Sequence, residues 1–76
     1  MKKSLEIDVS VMRKAIIQAL KARYQAYISE ADATLKIFLD HSVGIGEHPQ
    51  HLEEVDKLIK KISSAKGKLE TLKNFE

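Results

Sequence analysis

Seventy-six residues, 43% of them hydrophobic and 32% charged, with a formal net charge of +2, describe one small domain that is neither disordered nor membrane-like, and so small a charge announces no nucleic-acid partner. A single-chain core of this size is marginal, and natural proteins of this length often add disulfides, a metal or a partner subunit. Cysteine is absent, which removes the first of those devices.

The chain opens with the basic string Met1-Lys2-Lys3-Ser4, but Leu5-Glu6-Ile7-Asp8-Val9 alternates instead of forming an apolar signal core, and no run approaches membrane-spanning length. A cytoplasmic location is the expectation. Residues 4–9, six alternating positions without a partner strand, make no sheet, so residues 1–8 read as an extended or frayed arm of a single domain that covers 1–76. Asp8 suits an N-cap, with Ile7 and Met12 then placed as a hydrophobic staple.

Helix 1 is expected from about residue 9 to 41, since no glycine or proline interrupts the chain up to Leu39. Ile17, Leu20, Tyr24, Tyr27, Ala31, Thr34 and Phe38 follow steps of three and four, the spacing of a packed seam. Lys14, Gln18, Lys21, Gln25, Ser29, Asp32 and Lys36 form a polar stripe opposite. Ile16, Ile28, Leu35, Ile37 and Leu39 lie beside the seam and widen the apolar arc beyond what one neighbouring helix covers.

The stretch Ser42-Val43-Gly44-Ile45-Gly46-Glu47-His48-Pro49-Gln50 reads as the bend of a helical hairpin. Gly44 or Gly46 can take the left-handed conformation that closes a helix, and Pro49 suits the first position of the next, with His48 or Glu47 near its cap. Helix 2 is then expected over about 49–74, and its seam of Val55, Leu58, Ile62, Ala65, Leu69 and Leu72, with Leu52 before them and Ile59 alongside, is narrower. Glu53 with Lys57, Asp56 with Lys60 and Lys66 with Glu70 are spaced for ion pairs, and Gly67 on the outer face costs about 1 kcal/mol relative to alanine.

The lengths of the two helices predict an assembly. Folding back at about residue 45 places Leu72 near Ala19, so helix 1 outruns helix 2 by roughly two turns, about 10 Å. Those turns hold Val9, Met12 and Ile16, and leaving them in water forfeits about 1.5 to 3 kcal/mol each. The expected fold is therefore all-α, a long antiparallel helical hairpin that self-associates into a dimeric four-helix bundle, with a larger homo-oligomer as the variant. Val9, Met12, Ile16, Ile28 and Leu35 are the expected dimer interface.

Candidate chemistry is sparse. His41, His48 and His51, with Asp40 and Glu47, cluster at the bend and carry the atoms a transition metal uses, but no Glu-x-x-His set faces them from another helix, and a polar loop explains them. Gly44-Ile45-Gly46 lacks the strand before it, the third glycine and the following Lys-Ser/Thr of a phosphate loop. No nucleophile and base stand together, so no catalytic residue, cofactor or enzyme activity is expected. Lys60, Lys61, Lys66, Lys68 and Lys73, with Lys14, Lys21 and Arg23 on helix 1, compose a basic flank that supports the alternative of a small nucleic-acid-associated accessory protein. Interspersed acids and the lack of an aromatic residue among the helix 2 lysines favour a solvated flank instead.

The string Val43-Gly44-Ile45-Gly46-Glu47-His48-Pro49, after Leu39-Asp40-His41 and before Leu52-Glu53-Glu54-Val55-Asp56-Lys57-Leu58, resembles short uncharacterised helical proteins of tailed bacteriophages, marine ones especially, which pair a similar turn with two helices. The resemblance covers about the second half of the chain and implies a location in a bacterium or a phage-infected cell, with no activity, cofactor or binding residue to transfer. The expected function is that of a non-enzymatic, self-associating interaction or structural module, with an unidentified protein as a further partner and no membrane.

Overall fold

The computed structural model describes residues 8–40 and 49–76. Helix α1 spans Val9–Asp40 and helix α2 spans Pro49–Leu72, after which a single 3₁₀ turn, Lys73–Phe75, finishes the chain. The two helices pack along their lengths. At one end the Phe38 ring meets the His51 ring edge-on, with centroids 5.6 Å apart, and at the other the Arg13 side chain reaches the carbonyl of Phe75, so the pair is antiparallel. Gly44, Gly46 and the bend of which they are part lie outside the described residues, as does Ile7 of the expected staple.

Helix α1 begins where its cap permits. The Ser10 N-H donates to Asp8 Oδ1 at 3.2 Å, and the Met12 N-H donates to the Asp8 carbonyl at 3.0 Å, the first turn-closing bond of the helix. Asp8→Ala is expected to lower stability by about 1 kcal/mol, seen as a fall of roughly 4–8 °C in the melting midpoint, while Asp8→Asn retains most of it.

The core is thin. Only Ala31 and Ala65, at 2% exposure each, and Leu72, at 9%, are buried among the described residues. Half-buried Ile17, Leu20, Tyr24, Ile28, Leu35 and Phe38 line α1's side of the seam, and Val55, Leu58, Ile62 and Leu69 line that of α2. This corrects the expected α1 seam. Tyr27 and Thr34 are exposed, whereas Ile28 and Leu35 occupy the seam positions beside them. Both choices fit steps of three and four, and Thr34 Oγ1 donates to the Glu30 carbonyl at 3.0 Å at the helix surface, while the two aliphatic chains gain by leaving water.

Counting seven residues at a time from the Phe38–His51 contact brings Ala31 level with Leu58, Tyr24 with Ala65, and Ile17 with Leu72. At the first two of these levels an alanine meets a large residue, which lets the backbones approach without strain. The 3₁₀ turn then carries Phe75 back to the level of Arg13, whose Nε donates to the Phe75 carbonyl at 3.1 Å with Nη2 as a second donor. Lys21 Nζ adds an ion pair to Glu76 at 3.3 Å. Arg13 thereby satisfies a carbonyl that the helix end would leave orphaned, and Lys21 holds the side chain that follows it. The expected overhang of two turns is accordingly shortened, because the turn covers part of it.

On the outer face of α2, Asp56 pairs with Lys60 as the spacing predicts, but Lys57 takes Glu54 instead of Glu53, and Glu70 takes Lys73 instead of Lys66. All are exposed and worth little. Gly67 does not end the helix, which continues to Leu72. A methyl group built on it meets nothing within 4 Å, so Gly67→Ala is expected to raise stability by about 1 kcal/mol, read as a higher midpoint in thermal or urea unfolding.

Candidate functional site

The exposed apolar residues are not scattered. Val9, Met12 and Ile16 are 78%, 47% and 55% exposed, and Phe75 beside them is about as open. With Ile17, Leu72 and the stem of Arg13 they line an open groove of about 430 Å³ at the free end of the hairpin. Each wall has a local cause. The uninterrupted α1 carries its apolar spacing past the point where α2 stops, and the 3₁₀ turn swings Phe75 across the gap under the hold of Arg13.

Of the five residues expected at a dimer interface, the structure brings three together at this end. Ile28 and Leu35 are instead half-buried in the seam of the hairpin. Helical spacing continues the exposed stripe along α1 through Tyr27 to Ile37. Leu52 and Ile59 form a separate apolar strip on α2, lining an open groove with Val55, Glu53 and Asp56. Phe75 was not singled out from the sequence as contact surface; Leu52 and Ile59 were placed before and alongside the α2 seam, three and four residues from Val55, and the structure leaves both exposed.

The basic flank divides. At 100° per residue Lys60 points away from α1, Lys61 and Lys68 turn to one side of the hairpin, and Lys66 turns to the other. Lys61 Nζ lies 5.1 Å from the centroid of the Tyr27 ring and Lys68 Nζ lies 5.5 Å from that of Tyr24, cation–π contacts that occupy these ammonium groups within the chain. Lys60 and Lys73 face Asp56 and Glu70. On helix 1, Lys21 is taken by Glu76. The five α2 lysines therefore do not make the single stripe that would track a phosphate backbone.

Of the candidate metal ligands, His51 packs against Phe38, and His41, Glu47 and His48 lie outside the described residues. Among the described residues no three histidine or carboxylate side chains gather to hold a metal ion, and no helix is long and apolar enough to cross a membrane. Comparison of the chain with protein-family models, with curated proteins and with solved structures finds no match.

Proposed function

We propose that this protein is a non-enzymatic helical interaction module whose first partner is a second copy of itself, two hairpins packing into a four-helix bundle in the cytoplasm of a bacterium or a phage-infected cell. One observation carries this reading: Val9, Met12, Ile16 and Phe75 form a continuous exposed apolar surface on a chain whose seam, among the described residues, buries two alanines and one leucine. Two helices alone cannot enclose a layer of large side chains, and a second pair laid across the first supplies the missing wall. A twofold dimer is the simplest closed form, and the separate Leu52 and Ile59 strip allows further growth. The phage-related origin rests on the turn string at residues 43–49 alone.

Sedimentation equilibrium at micromolar concentration tests the proposal, with a mass of twice 8.6 kDa or a higher multiple expected. A folded species at the mass of one chain overturns it. A salt-dependent gel shift with DNA or RNA would instead favour the nucleic-acid reading, which the division of the lysines between faces disfavours.

A further inference from the structure

Helix α1 carries, beside its seam, a stripe that reads the same in both directions with its charges exchanged. Ile16, Arg23, Tyr27, Glu30 and Ile37 fall within one flank of the helix at 100° per residue. All five are exposed, and among the described residues neither Arg23 nor Glu30 has an ion-pair partner. The order is apolar, positive, aromatic, negative, apolar. A twofold axis crossing the helix between Ala26 and Tyr27 maps that order onto itself: Arg23 of each copy comes level with Glu30 of the other, and Ile16 with Ile37. Ala19 and Thr34, the residues between, also exchange, and both are small enough for two helices to approach closely.

From this self-complementarity we infer that the second copy docks with its helix α1 antiparallel to the first, about an axis near residues 26 and 27, so that the free end of each hairpin lies against the bend end of the other. The inference rests on the self-association proposed above and specifies its geometry. A parallel pairing in register opposes Arg23 with Arg23 and Glu30 with Glu30, and like charges facing across an interface cost several kcal/mol. The antiparallel pairing replaces both repulsions with two ion pairs and sets the exposed Ile16 and Ile37 on each other. An unrelated protein partner needs no such palindrome; a second copy does.

The experiment uses the full chain, which has no cysteine of its own. Mild oxidation of Ala26→Cys should yield a disulfide-linked dimer, because the axis brings residue 26 close to its own copy. Ala19→Cys should not, because residue 19 then lies about 22 Å from its copy along the helix, while the double variant Ala19→Cys/Thr34→Cys should cross-link. In parallel, Arg23→Glu and Glu30→Arg should each raise the dimer dissociation constant about tenfold or more, and the two together should restore it to within about threefold of the starting value. Efficient cross-linking of Ala19→Cys, or a charge-exchanged double variant no tighter than either single one, overturns the antiparallel arrangement while leaving self-association standing. A starting chain that sediments as a folded single copy removes the self-association on which the geometry depends.

Discussion

Replacing Met12 and Ile16 together by glutamate is expected to weaken self-association by about a thousandfold or more. Each of these side chains stands to gain about 1.5 to 3 kcal/mol on burial. The twofold places four of them in the interface, so half of the summed gain is about 3 to 6 kcal/mol, a range that spans the roughly 4 kcal/mol that a thousandfold change requires. Were the hairpin complete as a single chain, the same pair would be two surface substitutions with an effect within about 0.5 kcal/mol each. Sedimentation velocity over a concentration series separates the two outcomes, and circular dichroism on the same samples reports whether the dissociated chain keeps its helices.

The second large effect is expected at the tightest point of the seam. Ala65 is almost wholly buried and level with Tyr24, so Ala65→Leu inserts three heavy atoms where α1 and α2 approach across a small residue. Overpacking of this kind costs about 1–3 kcal/mol. It also displaces Tyr24, over which Lys68 sits. Ala33→Leu adds the same atoms at an exposed position of α1 and should leave the urea midpoint nearly unchanged. A destabilised Ala33→Leu with an unaffected Ala65→Leu would mean that α2 packs on the other face of α1.

Much of this architecture was legible in the residues. Asp8 before an uninterrupted apolar period, and Pro49 after two glycines, mark helix starts by backbone chemistry that needs no tertiary partner, and both helices begin where expected. What the residues left open was the choice between adjacent stripes of one helix. Tyr27 and Ile28 stand 100° apart on a wide apolar arc, and either sustains the three-four period; which of them is covered is decided only once α2 is in place. The 3₁₀ turn was not legible either. No glycine or proline announces it, and the Arg13 contact that holds it joins residues 62 positions apart. Local pattern carries no trace of such a contact.

The candidate surface was legible in part, for a related reason. Val9, Met12 and Ile16 stand out because helix lengths can be compared by counting, whereas Phe75 joins them only through the turn. The pairing of Arg23 with Glu30 emerges only when the seam is known, since the flank they occupy is defined by what α2 leaves uncovered. Lysine content, conversely, overstated a basic surface: successive spacings of one, five and two residues distribute Lys60, Lys61, Lys66 and Lys68 around the helix, and two of these ammonium groups settle over tyrosine rings.

The most direct test of an incomplete hairpin is the thermal unfolding midpoint as a function of chain concentration. If folding is coupled to association, dilution must shift the equilibrium toward unfolded single chains, and the midpoint should climb steadily from nanomolar to high micromolar chain. A sharp midpoint that stays fixed across that range would show a hairpin stable by itself, with its oily flank tolerated by water and in no need of a second copy.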